Sequence, residues 1–211
     1  MKVKLILAGI VASVLTTACS GLLHSKDDPD RIYLLRAAPA AGAAAVPGVL
    51  AVLHPAVQPG LDTESILLTH DGQELDHFAA SRWGDTLPQV IAALAVQSLA
   101  GGGGFANVVD AGRAIVPADY ELVLTVRHFE AAYAAGSAAP VAQVAFECAL
   151  VAGSPRRVLG RCDATASEPA SGNRVGAIVA ALEVAAQHAL AEVRSKAAAA
   201  ANAAATGTAA K

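Results

Sequence analysis

The chain has 211 residues and a formal net charge of −3, and charged side chains make up 16% of it, against roughly 25% in an average soluble protein. Hydrophobic residues reach 55% with 4% aromatics, and about a quarter of the chain is alanine, so the apolar excess is aliphatic and small. A net-negative chain without a basic block is excluded as a nucleic-acid binder, because phosphate neutralisation needs clustered Lys and Arg; three cysteines are too few for a disulfide scaffold.

In chain order, residues 1–18 read as a signal peptide. Lys2 and Lys4 supply positive charge, and Leu5 to Val14 is uncharged and too short to span a bilayer as a mature helix. Leu15-Thr16-Thr17-Ala18-Cys19 resembles the lipobox of bacterial lipoproteins, although Thr16 stands where Leu is preferred. The resemblance implies cleavage before Cys19 and covalent lipid on it, with no other cofactor. Ser20, not Asp, follows the cysteine, which under the sorting rule of diderm bacteria implies the outer membrane and a periplasm-facing domain. Residues 19–31 read as a polar tether with an r.m.s. span of about 19 Å.

Residues 32–196 read as one mixed domain. Ile32 to Leu35 and Val49 to Val57 are strand candidates, separated by an Ala/Gly/Pro loop. Ser65 to Phe78 reads as a hairpin turning at Asp71-Gly72, a pair suited to positive φ at both positions. A helix follows Asp85-Thr86, either of which can cap it, with Pro88 in its first turn. Leu87, Val90, Ile91, Leu94 and Ser98 share its inner face, and Gly101–Gly104 ends it. Phe105 to Val109 is a short strand, and Tyr120 to Tyr133 a long one with Leu122, Leu124 and Val126 on one face. Val141 to Val151 and Val158 to Thr165 form a second hairpin. Asn173 caps a last helix whose apolar stripe is Ile178, Leu182, Ala185, Ala189 and Val193. Its outer face carries Glu183, Gln187 and Arg194. Residues 197–211 read as an Ala-rich low-complexity tail, frayed or disordered. The fold class is α/β (α+β): a single domain with a mixed β-sheet and two main helices packed on it.

Several segments carry chemistry on paper and fail on context. Gly101–Gly104 is followed by Phe105-Ala106, not by Lys-Ser or Lys-Thr, and follows a helix, so it is a helix-ending loop and not a phosphate cradle. His24, His54, His70, His77, His128 and His188 show no metal-ligand spacing. Ser81, Ser98 and Ser154 lack a nucleophile elbow. No catalytic pair and no metal set emerges, and the chain reads as a non-enzyme.

Two features remain. Arg82-Trp83 is either a buried structural element under the first helix or part of a partner interface, where Trp and Arg are enriched. Cys148 and Cys162 are a disulfide candidate. With a five-residue loop from Gly153 to Arg157, Ala152 faces Val158 and the two cysteines fall opposite each other. A four-residue turn would shift that register and put them on opposite faces. The competing reading is two buried free thiols.

Leu61-Asp62-Thr63, Phe78-Ala79-Ala80-Ser81-Arg82-Trp83, Leu87-Pro88 and Asp119-Tyr120-Glu121-Leu122 occur in this order, behind a lipobox and a Tyr33-Leu34-Leu35 strand. This pattern resembles the ABC-type transport auxiliary lipoproteins of MCE systems over nearly all of the mature chain. The resemblance implies a periplasmic α/β domain that partners an MCE-domain protein, a permease and an ATPase, in systems that move phospholipid between membranes; whether the chain also forms a homo-oligomer is left open by the sequence. Two other readings fit a lipobox domain: an outer-membrane assembly or pilotin-type lipoprotein, and a lipoprotein that itself binds a solute or lipid.

Overall fold

The computed structural model describes residues 29–39, 42–115 and 117–209, with side chains to Thr206. The signal peptide, Cys19 and most of the tether lie outside the described residues. Among those described, the order is β1 (Arg31–Tyr33), β2 (Val46–Val52), β3 (Ala56–Val57), β4 (Ser65–His70), β5 (Glu74–Trp83), α1 (Leu87–Leu99), β6 (Phe105–Asp110), β7 (Tyr120–Tyr133), β8 (Val141–Ala152), β9 (Arg157–Pro169) and α2 (Val175–Ala209). A 3₁₀ turn at Ala111–Arg113 precedes β7.

The expected mixed sheet is organised around β7. Along one edge β8 pairs with it antiparallel from end to end, and β9 continues outward from β8. Along the other edge three parallel strands share β7 in succession: β2 beside 120–122, β3 beside 125–126 and β4 beside 131–133. Two arms diverge from there. One adds β6 to β2; the other adds β5 to β4 and then β1 to β5. The sheet therefore splits opposite residues 127–130 of β7. The sequence reading ran Val49 to Val57 as one strand; it breaks at Leu53-His54-Pro55, where proline removes a ladder donor.

Local signals explain most of the elements. Asp71 and Gly72 take φ of 49° and 70°, as the hairpin reading requires. Leu122, Leu124 and Val126 are all buried; a bulge at Arg127 then reverses the alternation, so Phe129 and Ala131 face the core. Gly48 has φ of 95° and sits under the Asp119 carboxylate, which accepts the Val49 N–H at 2.8 Å. A side chain at 48 would collide with it.

α1 starts as expected, with Thr86 at the N-cap and Pro88 in the first turn, although no side chain caps it. Its other end is closed from outside. Arg194 of α2 donates from Nη1 to the Ser98 carbonyl at 2.9 Å, and its stem lies over Gly104. A cation at a helix C-terminus satisfies an orphan carbonyl and the negative end of the dipole together. Arg194→Ala is expected to cost about 1–2 kcal/mol, read as a lower urea midpoint at unchanged slope. An unchanged midpoint would show that this contact carries no stability.

The stripe Ile178, Leu182, Ala185, Ala189 and Val193 is fully buried, and α2 packs on β8 and β9. By length and composition alone α2 could cross a membrane, but its apolar side is taken up by this sheet. Three expectations about α2 are corrected. Asn173 does not cap it; its Oδ1 accepts the Tyr133 hydroxyl at 2.6 Å, and the Arg174 carbonyl accepts the first helical bonds. Glu183 and Gln187, expected on a solvent face, hold the backbone of Arg36: its N–H donates to Glu183 at 2.8 Å and its carbonyl accepts from Gln187 at 2.8 Å. The expected loose tail is helix to Ala209. Ala197, Ala198 and Ala201 are buried, Ala200 sits against Gly160, and Lys196 Nζ donates to the Asp163 carbonyl at 2.7 Å. Alanine is the best helix former, and its small side chain permits close approach to β9.

Candidate functional site

Trp83 ends β5 at 1% exposure, its ring edge-on to Phe129 at 5.9 Å. The indole is core and is not available to a partner in this structure. Arg82 points the other way, half-exposed, and pairs with Glu64 at 2.7 Å. Three of the segments that carry the family resemblance, 61–63, 78–83 and 87–88, meet at this point, while 119–122 lies apart where β7 begins beside β2. Trp83 N–H donates to the Glu64 carbonyl at 2.7 Å, and Leu87 N–H donates to the Thr63 carbonyl at 3.0 Å. Leu61 is buried beside them in the core. Together they lock the turn from β5 into α1 onto the segment entering β4.

Cys148 and Cys162 face each other across β8 and β9 and are bonded, with Cα atoms 5.0 Å apart. The route to that register differs from the expected one. The turn is four residues, Gly153 to Arg156, and Ala152 pairs Arg157. A bulge at Leu159, between the Leu150 and Val151 pairs, restores the lost residue. The same bulge turns Val158 outward, to 50% exposure, where the simpler hairpin placed it on the apolar side.

The sheet split opens a cleft of about 540 Å³ on the helix-free face. Its floor is β7 and β8, with Glu130 and Gln143; Gln58, Pro59, Leu61, Gln73 and Leu75 form its walls. Glu130 is a carboxylate at 5% exposure, and the split explains it. Phe129 N–H donates to Glu130 Oε2 at 2.6 Å, and His128 Nδ1 lies 2.7 Å from Oε1. The side chain thus serves a backbone donor that has no neighbouring strand. Beside it Arg127 pairs with Glu147 at 2.6 Å. That hydrogen bond holds the Glu147 carboxyl below the usual carboxylate range and raises Arg127. Burial pushes the Tyr133 phenol up, keeping it a donor. Both Glu130 oxygens are engaged, so the cleft offers hydrogen bonds and not a free base. Sequence reading missed it because its residues come from four separated segments; a glutamate inside the apolar run of β7 was the one available signal.

A second open groove of about 540 Å³ runs along α1, between Leu34 and Leu35 on one side and Val90, Ala93 and Val96 on the other. Asp110 and Arg113 also line it. Gly101–Gly104 is no anion cradle: Gly102 and Gly103 donate to the Gly42 and Ala43 carbonyls, and Gly101 to Phe105. Among the described residues, no three His, Cys, Asp or Glu side chains are grouped to hold a metal.

A family model for the ABC-type transport auxiliary lipoprotein component matches residues 33–194. The crystal structure of protein XCC0632 from Xanthomonas campestris is similar with a TM-score of 0.73 at 24% identity, covering 83% of this chain and 99% of that one. An uncharacterized protein of known structure is similar at 0.62 and 15% identity, covering 79% and 97%. At these identities the likeness is one of fold. Among curated proteins none matches. The family match takes in the β5–α1 junction, the whole of β7 to β9 and α2 as far as the arginine that closes α1, and the chain belongs to the ABC-type transport auxiliary lipoprotein components.

Proposed function

We propose that this protein is the outer-membrane-anchored, periplasm-facing lipoprotein of an MCE-type ABC system that moves phospholipid between membranes. It works as a binding module: Cys19 carries the lipid anchor, and the domain grips the MCE partner that the permease and ATPase serve. The observation that carries this reading is the family match over 33–194, nearly the whole folded body. The lipobox before Cys19 and Ser20 after it support the anchor and its destination. Both grooves are open and neither is an enclosed apolar chamber, which supports partner binding over a lipid-carrying role.

The native protein, purified from its own membranes under mild detergent, is expected to bring down the MCE protein with its permease and ATPase. Its N-terminal fragment is expected to have the mass of an acylated Cys19. Recovery with a pilus or barrel-assembly complex instead would overturn the transport reading. An unmodified Cys19 would overturn the anchor.

A further inference from the structure

We infer that the free edge of β9 pairs antiparallel with the same edge of a second copy of this chain, about a two-fold axis at Cys162. This goes beyond the proposed function, in which the domain meets only the MCE partner and the membrane. β9 is 13 residues long and, among the described residues, pairs only with β8. Ala170 N–H donates to the Pro140 carbonyl at 3.0 Å, one step beyond the Val141–Pro169 pair. From there the register runs unbroken to the Leu150–Gly160 pair. Antiparallel ladders alternate between bonded and non-bonded pairs, so Arg161, Asp163, Thr165 and Ser167 turn their backbone N–H and C=O groups away from β8. The Asp163 carbonyl agrees with this phase, since it accepts Lys196 Nζ from outside the ladder at 2.7 Å. A carbonyl oxygen has two lone pairs, and Lys196 leaves one. An edge with such a row of open groups is a template for a further strand.

Charge complementarity selects the occupant. Between 160 and 167 the edge carries one cation, Arg161, and one anion, Asp163. Both are exposed, on the face opposite the buried Cys162 and Ala164. This stretch is neutral and is complementary to itself. Opposed residues must share a face, so a two-fold axis has to pass through a residue. An axis at Cys162 sets Arg161 against the partner's Asp163 and Asp163 against the partner's Arg161, and each pair exchanges both backbone hydrogen bonds. An axis at Arg161 or at Asp163 opposes like charges. Axes closer to Pro169 oppose both residues to uncharged side chains.

The axis at Cys162 also relieves a conflict within the sheet. Asp163 lies directly opposite Glu147, and like charges so placed are destabilising. Arg127 compensates Glu147 from the β7 side at 2.6 Å. The partner's Arg161 compensates Asp163 from the open side, so the two carboxylates lie between two guanidiniums. The side of α2 that carries Lys196 continues as Ala199, Ala200 and Ala203, and small side chains allow a second helix to approach closely.

The test uses the full lipidated protein, purified alone in detergent with micelles in excess, so that the MCE and transport readings do not enter. Light scattering with the detergent contribution subtracted is expected to give the mass of a dimer. Arg161→Asp and Asp163→Arg each oppose like charges across the axis, and each is expected to halve that mass while keeping a cooperative melt. Mixed in equal amounts, the two variants meet opposite charges at both contacts and are expected to recover the dimer mass. The Arg161→Asp/Asp163→Arg variant is expected to recover it alone. Such recovery separates pairing at the edge from damage to the fold. A monomeric wild type would overturn the proposal. So would an assembly, of whatever size, that the single reversals leave unchanged, or a loss that neither mixing nor the double reversal repairs.

Discussion

Trp83→Ala is expected to lower stability by about 3–5 kcal/mol, a range set by large-to-small replacements of buried aromatics. The ring is fully buried, edge-on to Phe129, at the junction where β5 turns into α1. Its removal leaves a cavity in a region bounded by backbone hydrogen bonds to Thr63 and Glu64, which restrict collapse. Domains of this size have about 5–15 kcal/mol in total, so the variant should melt far below wild type. Trp83→Phe keeps an aromatic neighbour for Phe129 and should lose less. Arg82→Ala removes an exposed ion pair with Glu64 worth at most about 1 kcal/mol, and should stay folded. Thermal melts of the three variants check this order. A stable Trp83→Ala would mean the indole is not a core element. A folded Arg82→Ala that loses its partner would assign the arginine to the interface.

Loss of the Cys148–Cys162 bond is the second large effect. The cysteines are 14 residues apart, and closing a loop near that length is worth about 3 kcal/mol in the chain-entropy model. Both sulfurs lie on the buried face of the hairpin against α2, so Cys148→Ala/Cys162→Ala should keep the fold while its urea midpoint drops. Thiol titration of the denatured, unreduced mature protein should find no free thiol. Two free thiols would remove the bond, and equal midpoints with and without reductant would remove its energetic role.

Much of this fold is legible where periodicity is strong. The face residues of α2 and the inward positions of β7 up to Val126 are buried as their spacing demands. Beyond Val126 the bulge at Arg127 breaks the period, and no local residue signal announces it. The disulfide register came out right through two offsetting differences: a shorter turn and an unforeseen bulge at Leu159. The alanine tail was misread because low complexity suggests disorder, whereas what matters is whether a neighbour can accept small side chains. Gly160 on β9 supplies that neighbour. Arg82-Trp83 was visible as a pair, but its partner Glu64 was not, since the two segments meet through strand pairing. The cleft around Glu130 stayed hidden for the same reason: it exists because β3 and β4 leave a gap on β7, a property of topology and not of any motif.

The grip of α2 on Arg36 has a mechanical meaning. Tension transmitted through the N-terminal chain arrives first at β1, three residues paired parallel to β5. A strand that short resists little force by itself. Just downstream, Glu183 and Gln187 grasp both backbone groups of Arg36, one helical turn apart on a helix seated across β8 and β9. Load that peels β1 from its neighbour next meets α2, the longest helix among the described residues, which is seated on the disulfide-bonded hairpin.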